Sequence, residues 1–438
     1  MIKVAKFGGS SVADASQFKR VKDIVDSDAA RRIVVISAAG KRSADDHKMT
    51  DLLYLCHAHL VYGVSCEPIF RDIEKRFCEI RDELGISLDI EKEFDDLWKK
   101  MDKDISVDYL VSRGEYFTSR LMAAYLGFHF LDAKDCIFSD YNGKFDEKKI
   151  TEAIQKAMMQ YGKIVIPGFY SSLPSGKIKL MSRGGSDITG ALAAAACRAD
   201  VYENWTDVSG ILMADPRIVK NPRPIPKITY AELRELASMG ASVLHEESIL
   251  PVKENGIPLN IRNTNKPDHP GTVIVDKIEK EDASYKRFLT GVAGRKNFEI
   301  LAIRKHNLDN NSDLRKVLEI LEDHKIAIEH ISLGLDSFSL VFAKSSVETI
   351  IYDVISEIQK VLKPDNISVQ ENISLVAAVG RKMTFRPGIS GSIFNALGEA
   401  GVNIRTIAQG ADELSIVVGV DNSQFDTTVR VLYESFAV

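Results

Sequence analysis

Three short stretches combine glycine, hydroxyl and charged residues in patterns that suit an anionic ligand. The first, Val4 to Val12, reads VAKFGGSSV. A strand-like opening, Met1 to Phe7, runs into two glycines, two hydroxyl residues and then helical spacing. Strand, glycine turn and helix start together direct backbone N–H groups at an anion. Glycine lets the backbone approach closely, and the Lys6 ammonium is near enough to reach the same ligand. The competing reading is a tight turn beside a solvated lysine. The spacing is neither the G-x-x-x-x-G-K-[ST] phosphate loop nor the G-x-G-x-x-G dinucleotide fingerprint. A phosphate bound here needs a different fold.

The second stretch, Met181 to Asp187 (MSRGGSD), opens an Ala-rich helix. Arg183 carries a planar fork suited to a carboxylate or phosphate. Asp187 either caps the helix or, with Arg183, completes a site for a zwitterion. Glu115, expected to open a helix after Gly114, is a second acid for an ammonium, or else a solvated carboxylate. The third stretch, Trp205 to Arg217 (WTDVSGILMADPR), follows a strand. It reads as a nucleotide cradle in which Arg217 reaches a phosphate, or as a turn capped by Asp207.

The elements that must position these residues alternate between strand and helix. Strand signals fall at Met1 to Phe7, Arg32 to Ala39, Phe128 to Leu131, Ile164 to Pro167 and Val201 to Trp205. Helical spacing falls at Val12 to Asp26, from Met49 onward, Ser112 to Leu126, Glu147 to Tyr161 and Asp187 to Arg198. This order predicts a three-layer αβα domain on a mostly parallel sheet, with ligands at the carboxyl ends of its strands. Residues 56–110 have helical spacing and no strand signal, and read as a helical insertion or lid. Lys277 to Lys286 reads as a linker.

The last third contains an internal repeat offset by about 76 residues. Ile326 to Leu340 superposes on Val402 to Ile416, with turns at Gly334/Asp336 and Gly410/Asp412. Each copy predicts a ferredoxin-like unit. Val292 to Lys296 echoes Val379 to Lys382 and supplies an extra strand, so the copies are expected to interleave.

Composition narrows the function classes. The 438 residues leave room for several domains, and a net charge of −5 argues against nucleic acid as the main partner. The five cysteines lack C-x-x-C spacing, which points to a reducing compartment rather than a zinc or disulfide scaffold. No long apolar run suggests a membrane span. There is no G-x-S-x-G elbow and no H-E-x-x-H helix. A cytoplasmic chain is expected.

On these residues the chain resembles the aspartate kinases of the amino-acid kinase superfamily. The resemblance is carried by Lys6 to Val12, Arg183 to Asp187, Trp205 to Gly210 and Asp215 to Arg217. The duplicated tail resembles their paired ACT regulatory domains. The resemblance implies a catalytic domain over 1–285 and a regulatory region over 286–438. It implies phosphoryl transfer from ATP, carried with Mg²⁺, to L-aspartate, with Lys6 and Asp187 catalytic. Ser37, Thr50, Glu115 and Arg183 would hold aspartate. Lys6, Gly8, Gly9, Ser10, Thr206, Asp207, Leu212, Arg217, Ser242 and Val243 would line the nucleotide. Ser209, Leu212 and Ser242 stand where the family has proline, tyrosine and lysine. An amino-acid effector, lysine or threonine, would bind at the ACT domains of a homodimer or larger homo-oligomer, with Glu329 a partner for a lysine ammonium. The alternatives are another amino-acid kinase with a different carboxylate substrate, or a non-catalytic amino-acid sensor.

Overall fold

The computed structural model describes residues 1–438 except Arg183, Ser242, Val243, His245, 280–287, Lys382, 384–386, 411–413 and 437–438; for Glu246, Glu247 and Asn310 it describes only the backbone. Most of the expected linker, Lys382 of the echoed strand and Asp412 of the second repeat turn therefore lie outside the described residues. Packing divides the chain into two units. The first comprises Met1–Ile211, Pro224–Tyr230 and Val243–Ile278; the second comprises Leu212–Arg223, Ala231–Ser242 and Glu279–Val438.

In chain order the molecule up to Val275 runs β1 (Lys3–Phe7), α1 (Ala15–Asp26), β2 (Arg31–Ile36), α2 (Met49–Val61), α3 (Glu67–Leu84), α4 (Ile90–Trp98) and α5 (Val107–Leu126). It continues through β3 (His129–Phe130), α6 (Ala133–Cys136), α7 (Glu147–Tyr161), β4 (Ile164–Pro167), the hairpin β5 (Tyr170–Ser172) and β6 (Ile178–Leu180), then α8 (Gly185–Cys197) and β7 (Val201–Thr206). β8 (Lys227–Thr229), α9 (Tyr230–Ser238), α10 (Glu246–Glu254), β9 (Leu259–Asn263) and β10 (Thr272–Val275) follow. Eight strands form one sheet in the order β3-β4-β2-β1-β7-β9-β10-β8. Every pairing is parallel except β9 with β10. β1 and β2 are largely apolar on both faces, as a sheet covered on both sides requires. Val4, Ala5, Phe7 and Ile33 to Ile36 are all fully buried.

Two helix starts differ from the sequence reading. Gly9–Val12 forms a 3-10 turn, and α1 begins behind Asp14, whose side chain accepts from the Gln17 N–H. α5 begins behind the Ser106 cap, so Glu115 sits well inside the helix and does not open it. Gly114 is tolerated there because that face meets Ala38 and Leu53; a Cβ would lie 3.1 Å from the Ala38 side chain. The insertion is no detached lid. Phe70, Phe77 and Phe94 of α3 and α4 are buried, and Phe94 stacks on Phe117 of α5 with ring centroids 4.1 Å apart.

One face of β7 carries charge into the interior. Glu203 is 1% exposed and receives the Arg31 guanidinium at 2.7 and 3.2 Å and the Trp205 indole N–H at 2.9 Å. Arg31 and Arg262 also lie over the Trp205 ring, 5.3 and 4.5 Å from its centre. A buried charge persists only when paired and hydrogen-bonded.

The second unit has a six-stranded antiparallel sheet. Its elements are β11 (Gly291–Arg304), α11 (Asn310–Asp323), β12 (His330–Leu333), β13 (Ser337–Ala343), α12 (Ile351–Leu362) and β14 (Asn366–Val379). α13 (Ile389–Glu399), β15 (Ile404–Gln409), β16 (Ser415–Asp421) and α14 (Phe425–Phe436) complete it. The order is β12-β13-β11-β14-β16-β15. The sequence reading separated Val292 to Lys296 from Ile300 to Ile303; here both belong to the single strand β11. β11 and β14 pair along nearly their whole length, with register shifts near Phe298. Asn297 and Asn372, both at positive φ, mark the bends. Leu212–Arg223 packs into this unit: Val292 N–H donates to the Met213 carbonyl at 2.7 Å, and Arg223 N–H to the Tyr433 hydroxyl at 2.9 Å. Among the described residues no helix is long and apolar enough to cross a membrane.

The Glu203 cluster yields a stability prediction. Glu203→Ala leaves Arg31 buried without its acid and should cost about 3–5 kcal/mol, read as a fall in the urea midpoint of the first unit. An unchanged midpoint would mean the cluster contributes nothing to stability.

Candidate active site

The carboxyl ends of β1, β2, β4 and β7 converge. Gly8 N–H donates to the Trp205 carbonyl (3.0 Å), Ser37 N–H to Phe7 (3.2 Å) and Gly168 N–H to Ile36 (2.9 Å). These bonds extend the parallel ladders into the loops and bring three sequence-distant turns side by side. Gly9 is required by space. A Cβ there would lie 2.8 Å from the Ala38 carbonyl oxygen, and one on Gly40 would lie 2.6 Å from the Gly9 carbonyl carbon.

Lys6 is 8% exposed. Its ammonium lies 2.6 Å from the Asp187 carboxylate, which also accepts from the Asn204 side-chain amide at 2.9 Å. Lys6 pairs with Asn204 in the sheet register, so both side chains leave the same face and meet the first turn of α8. The Tyr202 hydroxyl donates to the Asp187 carbonyl at 3.1 Å, fixing that turn against β7. Lys6 and Asp187, predicted from separate motifs, are thus one ion pair. Nζ of Lys6 also lies 3.7 Å from where a Gly8 Cβ would be, placing the charge beside the glycine turn. Gly8 and Gly9 are partly exposed and Ser10 is exposed, so the turn is open to a ligand.

Glu115 sits on the neighbouring wall. It is 4% exposed, and one carboxyl oxygen has no hydrogen-bond partner in the described structure. Burial pushes its pKa up to about 8, a shift tempered by hydrogen bonding with the Ala38 backbone and by the Arg113 charge. The Thr118 hydroxyl donates to the Gly114 carbonyl at 2.7 Å and accepts from Ala39 N–H at 3.2 Å, locking the loop after β2 onto α5. Ser37 and Thr50 flank that loop, both half-buried. A buried acid with an open oxygen is suited to receive a cationic group.

Thr206 ends β7, and its hydroxyl donates to the exposed Asp207 carboxylate at 3.2 Å. The Asn263 amide holds the Asp207 carbonyl at 3.1 Å and the Ser209 hydroxyl at 2.9 Å. Leu212 and Arg217 fall in the second unit. There Arg217 is turned back on Asp215, with contacts of 3.0 and 2.5 Å. Its guanidinium is therefore engaged, which the motif alone did not indicate. Glu329 is likewise taken, by Arg295 at 2.7 Å. Arg183, Ser242 and Val243 lie outside the described residues. Among those described, no cluster of His, Cys, Asp or Glu is placed to hold a metal.

Sequence reasoning missed Asn204. The signal was present: two polar residues, Glu203 and Asn204, interrupt a central parallel strand, where an unpaired polar group is costly.

Residues 1–263 match the family model for the amino acid kinase family, and residues 376–436 match one for an ACT domain. The chain is 34% identical to aspartokinase 3 of Bacillus subtilis over 99% of its own length and 98% of that protein's. It is similar to the solved aspartate kinase of Clostridium acetobutylicum, with 47% identity, a TM-score of 0.92 and coverage of 100% and 99% of the two chains. It also resembles Escherichia coli aspartokinase III. The complex with aspartate and ADP gives a TM-score of 0.75 at 27% identity, covering 100% of both chains. The complex with lysine and aspartate gives 0.74 at 28%, covering 99% of each.

The buried acid predicts a pH signature. Glu115 enters the fold as the neutral acid, so its contribution is full below the ordinary carboxylate range. It fades as pH rises toward about 8. Glu115→Gln should therefore remove a loss of stability that wild type shows between about pH 5 and pH 8. Parallel urea-midpoint profiles for the two proteins would contradict the burial account.

Proposed function

The chain belongs to the amino acid kinase family, among its aspartate kinases, and from that premise we propose that it transfers the γ-phosphoryl of ATP to the β-carboxylate of L-aspartate. The product is 4-phospho-L-aspartate. The observation that carries the reading is the Lys6 ammonium, fixed by Asp187 at the carboxyl end of β1 beside the Gly8–Gly9 turn.

The chemistry suits these residues. The acceptor carboxylate has a solution pKa of about 4 and is already ionised at neutral pH. No general base is required. The barrier lies in bringing an anion to a polyanion, so positioning and positive charge supply the catalysis. Lys6 neutralises charge that develops on the transferring phosphoryl, and the N–H groups of Gly9 and Ser10 cradle its oxygens, while Gly8, its own N–H held by the Trp205 carbonyl, anchors the turn beside them. Asp187, with Asn204 behind it, orients Lys6. Arg183 takes the α-carboxylate of aspartate and Glu115, giving up its proton as the cation binds, takes its ammonium, while Ser37 and Thr50 line the same pocket. Mg²⁺ arrives with the nucleotide as part of the substrate. Thr206, Asp207, Leu212, Arg217, Ser242 and Val243 are assigned to the nucleotide from the resemblance; for Arg217 this requires release from Asp215.

We assign catalysis to 1–285, with the 56–110 helical insertion, and regulation to the two interleaved ACT domains of 286–438. The effector is an end-product amino acid, lysine ahead of threonine, acting on a cytoplasmic homo-oligomer. For lysine to use Glu329, Arg295 must give it up.

Hydroxylamine trapping tests the reaction, because an acyl phosphate gives a hydroxamate. Product is expected with ATP and aspartate, and not with glutamate or N-acetylglutamate. Absence of the aspartate product refutes the reading, and product from another carboxylate reassigns the substrate. Lysine, or threonine in its place, titrated into the same assay should inhibit; no response to either would leave the tail without its proposed effector. Lys6→Met should lower kcat by roughly 10²–10³ with little change in KM for aspartate. Wild-type turnover in that variant would remove Lys6 from the mechanism.

A further inference from the structure

Arg76, on α3 of the helical insertion, belongs to none of the motifs above. It is 4% exposed. One guanidinium nitrogen, Nη2, donates to the carbonyl of Ala13 at 3.0 Å and to the carbonyl of Gly40. The other, Nη1, donates to the carbonyl of His47 at 3.1 Å and lies 3.2 Å from the Asp46 carboxylate. Ala13 closes the 3-10 turn that begins at Gly9. Gly40, Asp46 and His47 belong to the loop between β2 and α2, which starts at Ser37 and ends at Lys48, with Thr50 in the first turn of the helix that follows. A single side chain therefore ties together the two loops that form the proposed phosphoryl and aspartate walls.

Those loops have no slack between them. Gly40 N–H donates to the Gly9 carbonyl at 2.9 Å, and neither glycine has room for a Cβ against the other loop. A displacement of Gly40 must pass to Gly9. The convergent carbonyls and carboxylate suit a planar, charge-assisted fork. A lysine is a point charge and cannot satisfy both loops with the same geometry.

We propose that Arg76 is a positioning residue for phosphoryl transfer: from the insertion it sets the Gly40 loop, and through it the Gly8–Ser10 turn, in the arrangement that aims backbone N–H groups and Lys6 at the transferring phosphoryl. This rests on the kinase reading given above. It assigns the insertion a part in turnover in addition to its packing. A misplacement of about 1 Å far from the chemistry can cost about 100-fold in rate.

The test uses the full-length chain and the hydroxamate assay, with kcat normalised to the folded fraction at the assay temperature. Arg76→Lys should remain folded and lose at least about tenfold in kcat, with KM for aspartate within about twofold of wild type. Arg76→Met should lose about 100-fold; if it does not fold, Arg76→Lys decides alone. Wild-type kcat per folded Arg76→Lys molecule overturns the proposal, as does a loss of activity in both variants explained entirely by unfolding. Either result leaves Arg76 as an anchor of the insertion only. If wild type itself forms no hydroxamate, the kinase reading fails and this inference falls with it.

Discussion

The first unit is built around holding one ammonium, that of Lys6, nearly out of water at the end of a central strand. Removing an isolated charge from water is costly, and the cost is met only by a close, well-bonded counter-ion. Asp187 supplies it at 2.6 Å, and Asn204 supplies a second bond to the same carboxylate. This requirement fixes much else. The first turn of α8 must sit against β1 and β7, which the Tyr202 hydroxyl secures. β1 must be interior, with β2 and β7 on either side, so that Lys6 emerges where the strand ends meet.

The surroundings repeat that logic with different groups. Around Gly9 and Gly40 the constraint is steric: two backbones approach too closely for any side chain. Around Glu115 it is electrostatic, since burial without a full set of partners favours the neutral acid. Below the sheet, Glu203 and Arg31 form a second buried pair, kept separate from the open end. A charge open to ligand and a charge sealed in the core therefore lie one residue apart in register, on opposite faces of neighbouring strands.

Local chemistry made part of this legible in the amino-acid sequence. The apolar run into Gly8 and Gly9, the Ala-rich α8 and the tail repeat each carry a strong short-range signal, and each corresponds to an observed element. The pairing of Lys6 with Asp187 was not legible, because strand order and not sequence distance brings them together. α5 begins before the point where its apolar spacing becomes clear, so Glu115 was placed at a helix start. The insertion read as a helical insertion or lid because its charged residues dominate the string, while Phe70, Phe77 and Phe94, which anchor it, are spread among them. Arg217 reads as a phosphate ligand in the sequence because a sequence does not show that Asp215, two residues away, folds onto it.

In the second unit, the early part of β11 pairs with the late part of β14 next to β16 and β15, whereas its later part lies between β13 and the early part of β14. Each central strand thus serves both copies of the repeat. Here neither copy could be excised without removing half of a strand that the other needs, so the tail is expected to fold and unfold as one piece.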